Sequence, residues 1–167
     1  MVKMVPVKGY FEENCYFYID EKTMHGFLID PGAQPQVLKE IIHGNGWTIE
    51  KILLTHGHFD HFGAANELRH SLRIPIYAYE KADKYLLDGK MNLSSFCGRE
   101  IRLPETGKFR DGDEIQLQSN PEFKLKVLYG PGHTTDSVIF HSEMDQLAFV
   151  GDTVFRGSIV TDQYPGG

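Results

Sequence analysis

One run of ten residues constrains this chain more than any other: Leu54-Thr55-His56-Gly57-His58-Phe59-Asp60-His61-Phe62-Gly63. It reads H-x-H-x-D-H and directly follows Ile49 to Leu54, an apolar stretch short enough to be a buried strand. In extended backbone, side chains at i and i+2 share a face, so His56 and His58 can reach one ion together. Asp60 and His61 are adjacent at the entry to the next helix, so they point elsewhere and can reach a second ion. Gly57 and Gly63 are expected to let the loop bend tightly. Imidazole nitrogen and carboxylate oxygen are donors that zinc accepts, with iron and manganese as alternatives. Four ligand-type residues within six positions are a wasteful composition for an ordinary turn.

The chain around this run reads as one domain over 1–167, with no repeat and no linker. Val2 to Val7, Cys15 to Ile19 and Phe27 to Ile29 carry strand signals. Asp30-Pro31-Gly32 then forms a turn. Val37, Leu38, Ile41 and Ile42 recur at helical spacing, and Gly44 and Gly46 end that helix. Thr55 to His61 is expected as a polar loop and Ala64 to Leu72 as a helix. Ile76 to Tyr79 follows as a strand, Glu80 to Leu87 as a helix, and Met91 to Pro104 as irregular chain. Asp113 to Leu117, Phe123 to Leu128, Ser137 to His141 and Leu147 to Val150 are the remaining strands. The tail from Val154 has no clear periodicity. Hairpins, then β-α-β-α, then hairpins again indicate an α/β layered fold.

Two later segments repeat the strand-end logic. Gly130-Pro131-Gly132-His133-Thr134 puts a histidine in a tight loop after a strand, and Gly151-Asp152-Thr153 puts an aspartate directly after another. Loops at one sheet edge can converge on one cleft.

These residues together are similar to those of the metallo-β-lactamase fold superfamily. Its carriers here are Asp30 in Leu28-Ile29-Asp30-Pro31-Gly32, the run His56 to His61, His133 in Pro131-Gly132-His133-Thr134, and Asp152 in Gly151-Asp152-Thr153. More narrowly, Asn14-Cys15-Tyr16, Gly98 and the stretch from Gly151 to Gly167 resemble the glyoxalase II-like hydrolases. The resemblance implies a four-layer αββα sandwich with two metal ions, zinc by expectation, at one edge. It implies His56, His58 and His133 on the first ion, Asp60 and His61 on the second, and Asp152 between them. Asp30 would hydrogen-bond the ligand loop and fix its orientation.

The family also has a histidine downstream of the bridging aspartate, whereas this sequence has none after His141. The expectation is therefore a sandwich without its last strand and helix, and a second ion short of one ligand. His141 and His25 are the candidate substitutes. An apolar edge left open by the absent elements would favour a homodimer.

The activity implied by the resemblance is hydrolysis of a thioester such as S-lactoylglutathione, through a hydroxide shared by two metals. Asp60 would orient that nucleophile and move its proton. Persulfide dioxygenation with a single iron, and a metal-binding but inactive chain, are the alternatives. A true β-lactamase is less favoured, because Asp152 stands where a zinc-binding cysteine would be expected. Lys108 and Arg110 could hold an anionic substrate group, although solvated surface charge is the simpler reading. Cys97 and Cys15 are read as structural, Cys15 as a small buried hydrophobe.

Composition narrows the partners. Lys plus Arg is 17 against 23 Asp plus Glu, a net charge of −6, with no basic stripe, so nucleic acid is not expected. No stretch approaches the roughly 20 apolar residues of a membrane helix. Two cysteines cannot make a disulfide framework, so a cytoplasmic protein acting on a small molecule is expected.

Overall fold

Alternation along a single strand decides the layering. The computed structural model describes residues 1–158 and 163–167. In β2 (Glu12–Asp20), Cys15, Phe17 and Ile19 face one way and Tyr16 and Tyr18 the other. The first set packs against helices and the second against another sheet. Both faces are apolar, so this strand can only be central.

β1 (Val2–Lys8) pairs antiparallel with β2 in the register Val5↔Cys15, and β2 pairs antiparallel with β3 (His25–Ile29). The chain then crosses over through α1 (Pro35–Asn45), whose Leu38 and Ile42 are buried, to β4 (Thr48–Leu53), parallel to β3. α1 ends at Gly46, which adopts the left-handed conformation that a helix C-terminus favours. After β4 come a short helix α2 (Phe59–Phe62), α3 (Ala65–Leu72) and β5 (Ile76–Tyr79), parallel to β4. A last helix, α4 (Asp83–Leu86), precedes β6 (Gly107–Phe109), which closes a six-stranded sheet in the order β1 to β6. β7 (Glu114–Gln116), β8 (Lys124–Tyr129), β9 (Val138–Ser142) and β10 (Leu147–Phe149) form a four-stranded antiparallel sheet.

Two cores result. Leu38, Ile42, Leu68 and Phe62 from the helices pack with Phe17, Leu28 and Ile52 on one face of the large sheet. Tyr18, Phe27, Ile29 and Leu53 on its other face pack with Leu125, Val127, Phe140 and Phe149 of the small sheet. The opposite face of β8 carries Lys126 and Leu128, which are not buried. The described residues therefore build helices, sheet and sheet, which are three of the four expected layers.

Three expectations need correction. The helix expected over Glu80 to Leu87 forms only at Asp83–Leu86, because Ala82 N–H first closes a turn onto Tyr79 carbonyl at 2.9 Å. The loop Thr55 to His61 is not wholly irregular, since α2 opens within it. β6 was not expected at all: three residues are too few to show alternation, and pairing with β5 makes them a strand. Within Met91 to Pro104, Ser94–Cys97 form one 3-10 turn. In the tail, residues 159–162 lie outside the described residues.

Candidate metal centre

The donors gather where strands run out. β3 and β4 are parallel, so Asp30 and the run from His56 leave the sheet at the same edge, the usual place for a site in such sheets. Antiparallel β2 begins at that edge with Glu13, and His133 and Asp152 come from loops that follow β8 and β10.

Asp30 organises this edge. One carboxylate oxygen accepts the Thr55 N–H at 2.8 Å, and the other accepts the Thr55 hydroxyl at 2.6 Å. That second oxygen also lies 3.0 Å from His61 Nδ1. Since a carboxylate only accepts, His61 keeps a proton on Nδ1, so Nε2 is the nitrogen it can offer a metal. Thr55 has spent its own proton on Asp30, so at 3.1 Å it accepts from His56 Nδ1, and His56 also presents Nε2. Asp30 thus sets two tautomers at once. It does so at a φ of 50°, a left-handed conformation that aspartate tolerates better than most residues. Asp30→Ala is expected to lower metal affinity about 10–100-fold and to cost about 1–3 kcal/mol for each buried donor left without an acceptor. Metal titration and thermal melts of the variant check both.

The loop glycines are required for room rather than for backbone freedom, which corrects the expectation from sequence. Neither Gly57 nor Gly63 has a positive φ. A Cβ on Gly57 would lie 2.5 Å from Tyr85 Cβ and 3.0 Å from Asp136 Oδ2, and one on Gly63 would run into the Gly32 carbonyl. Gly32 in turn abuts the Asp60 carbonyl, so the turn after β3 lies flush against the ligand loop.

His56 Nε2 is 3.2 Å from His58 Nδ1, and His133 Nε2 is 3.0 Å from the same atom. All three rings are buried. One carboxylate oxygen of Asp152 lies 3.4 Å from His61 Nε2 and the other 3.4 Å from His133 Nε2, so Asp152 spans two positions. Three groups of donors have mutual separations compatible with a metal ion: His56, His58 and His133; His56, His61 and Asp152; and Glu13, Asp60 and His61. His61 Nε2 is buried and has no acceptor in line for a hydrogen bond. These residues fit a pair of divalent ions, because imidazole nitrogens and carboxylate oxygens at these separations are the donors that zinc and iron accept.

The electrostatics agree with that fit. Burial, reinforced by His61, His58 and His133, holds the His56 imidazole well below its usual range. Burial and His133 push His58 down to about 3. Both are therefore neutral at physiological pH, as ligation requires. Burial opposes charge on His61 too, but Asp60 and Asp30 outweigh it and raise that ring well above its usual value. Burial raises Asp60 despite His61, and raises Glu13 to about 8. For Asp152, nearby His61 overcomes burial and lowers the pKa.

A pH dependence follows for the metal-free protein. The unfolded chain binds a proton at His58 near 6.5 and the folded one near 3, so that contribution is present above 6.5 and is lost as pH falls toward 3. Denaturant unfolding across this window should show stability declining with acid, with a shallower slope in His58→Asn.

All the donors expected from sequence, namely His56, His58, Asp60, His61, His133 and Asp152, meet at this edge with Asp30 behind them. The proposed substitutes do not. His25 lies 2.8 Å from Glu50, and His141 sits on β9 with its side chain toward the outer face of the small sheet, near Lys124 and Met144. Lys108 pairs with Asp83, and Arg110 with Glu80, both as surface charge. Cys15 is buried in the helix-side core, while Cys97 lines a cleft beside Phe11.

Glu13, Tyr85 and Tyr164 are the residues that sequence reasoning missed. Tyr164 lies edge-on to His58 and His133, with ring centroids 5.8 and 5.7 Å away. Glu13 had a readable signal: in the alternation of β2 it falls on the same face as Cys15, Phe17 and Ile19, where a carboxylate is out of place.

A sequence profile described as Metallo-beta-lactamase superfamily matches residues 9–167. The chain is 33% identical over 166 residues to "Probable metallo-hydrolase YqgX" of Bacillus subtilis, covering 99% of this chain and 76% of that protein. It is 29% identical over 175 residues to "Hydroxyacylglutathione hydrolase GloC" of Haemophilus influenzae, covering 99% and 77%. Among solved structures, BLEG-1 B3 metallo-beta-lactamase superposes with a TM-score of 0.91 at 29% identity, covering all of this chain and 79% of that one. TTHA1623 in a di-iron-bound form superposes with a TM-score of 0.80 at 31% identity, covering 97% and 78%. The chain thus spans about three quarters of the length of these relatives. With a two-sheet α/β fold and a histidine-rich cluster at the strand ends, the chain belongs to the metallo-beta-lactamase superfamily.

Proposed function

We propose that the protein hydrolyses acyl thioesters, using two divalent ions, zinc or iron, held by His56, His58 and His133 on one side and Asp60, His61 and Asp152 on the other. The observation that carries this reading is Asp152, whose two oxygens reach toward both histidine groups beside an open mouth of about 180 Å³. When bound, such ions lower the pKa of water and polarise a carbonyl. The chain's own residues do the rest. Asp60 lines the mouth, and its carboxyl, raised by burial, receives the proton of the attacking water. Asp30 keeps His56 and His61 in the ligating tautomer throughout. Phe11, Leu93, Phe155 and Tyr164 line the mouth as an apolar wall for the acyl group.

The leaving group supports a thioester. A thiol has a pKa of about 8.5 and departs at neutral pH with little need of a proton donor, unlike an amine. The similarity to GloC supports the same class. A second reading, opening of a β-lactam ring, is favoured by the superposition on BLEG-1.

The test is turnover by metal-loaded protein of S-lactoylglutathione, of a short acyl thioester without glutathione, and of a chromogenic cephalosporin. Thioester turnover with stoichiometric metal is the expected result. Turnover of the cephalosporin alone would replace the first reading by the second, and a fully loaded protein inert toward all three would overturn both.

A further inference from the structure

Beside Asp60, His61 and Asp152 stands one further carboxylate, Glu13. We infer that Glu13 is itself a ligand of the second ion, so that this position is built from Glu13, Asp60, Asp152 and the single imidazole of His61. The inference rests on the two-ion reading proposed above and deepens it.

Three independent observations lead there. Glu13 Oε2 lies 3.2 Å from His61 Nε2, closer than Asp152 at 3.4 Å or Asp60 at 3.8 Å. Donors on one ion sit about 3–4 Å apart when each bond to the metal is about 2.0–2.2 Å, so Glu13 is placed as well as either expected ligand. The second observation is His61 itself. Its ring is wholly buried, its Nδ1 proton is committed to Asp30, and Nε2 faces the three carboxylates with none in line for a hydrogen bond. Three carboxyl groups gathered around one buried ring nitrogen repel one another as anions, which a cation among them would relieve. The third is register: β2 turns Glu13 inward along the stripe of Cys15, Phe17 and Ile19, and its side chain is only 15% exposed. A surface glutamate would sit one residue earlier or later, as Glu12 and Asn14 do.

The chemistry of the position follows. Neither His25 nor His141 belongs to the cluster, whereas Glu13 lies 3.2 Å from His61. Three carboxylates and one imidazole form an oxygen-rich set that suits manganese(II) and iron(II), whereas His56, His58 and His133 form an all-nitrogen set that suits zinc. The two positions would therefore differ in preference, and Glu13 would carry much of the difference.

Metal binding tests this directly and needs no assay of activity. The full chain is stripped, given one equivalent of zinc, and titrated with manganese(II) while electron paramagnetic resonance follows the free ion. The native chain should take up one equivalent of manganese. Glu13→Gln, which keeps the shape and removes the charge, should bind that equivalent about tenfold more weakly or worse, lose less in zinc affinity, and retain the first zinc. Native uptake with an unchanged manganese affinity in Glu13→Gln would overturn the assignment of Glu13 while leaving two ions in place. A native chain that takes no second ion would overturn both. Should Glu13→Gln lose the first zinc as well, Glu13→Asp decides: a weakened second equivalent with the first intact supports the inference, and an unchanged one overturns it.

Discussion

Asp60→Asn is expected to lower turnover about 10²–10⁴-fold while leaving the metal at the three-histidine position in place. The amide keeps the volume and one oxygen of the carboxylate but cannot take a proton. Burial also raises the Asp60 carboxyl above the ordinary aspartate range, which makes it a stronger base than a solvent-exposed aspartate. It lies outside the group formed by His56, His58 and His133, so that group should bind as before. Single-turnover rates read beside metal content separate the two effects. A variant that retains its metal and its rate would remove Asp60 from proton transfer altogether. A variant that loses the first ion would make it a structural residue.

Asp152→Ala is expected to be broader in effect, weakening both metal positions at least about 100-fold and abolishing measurable turnover. Its two oxygens address different histidines, 3.4 Å from His61 and 3.4 Å from His133, so removing the side chain takes a donor from each side. It also removes the partner that balances the positive field of His61. The contrast with Asp30 is informative. Asp30 touches no expected metal position, and its loss should act by freeing the tautomers of His56 and His61. Metal stoichiometry at fixed free zinc distinguishes the two: Asp30→Ala should fill at higher concentration, while Asp152→Ala should keep at most one ion. Two tightly bound ions in Asp152→Ala would rule out a bridging role.

How much was legible in advance varies with the range of the interactions involved. Strands such as Val2 to Val7 and Ile76 to Tyr79, and the helix at Val37 to Ile42, show in the residues because alternation and 3.6-residue spacing are local properties. β6 does not, because Gly107-Lys108-Phe109 becomes a strand only by lying against β5. The helix that forms after β5 is shorter than its periodicity suggests for a related reason: apolar residues at Ala82, Tyr85 and Leu86 fit the period, but the Ala82 N–H closes a turn onto the Tyr79 carbonyl. Gly57 was expected for its backbone freedom and is needed instead for the contact with Tyr85, which lies 28 positions away in the chain.

The sequence by itself determined the donors. H-x-H-x-D-H after an apolar strand, with His133 and Asp152 at later strand ends, specifies ligand chemistry because donor type and local spacing are properties of neighbouring residues. Only the tertiary structure decided which of these side chains lie together, which nitrogen each ring can offer, and that Glu13 stands beside them. Asp30 and His61 are 31 positions apart, and Glu13 and Asp60 are 47 apart by their numbering. Their meeting depends on β2 running antiparallel and β4 parallel to β3, so that two strand exits and one strand entry open at a single edge. Pairing direction is set by the packing of whole layers, and no short stretch of residues encodes it.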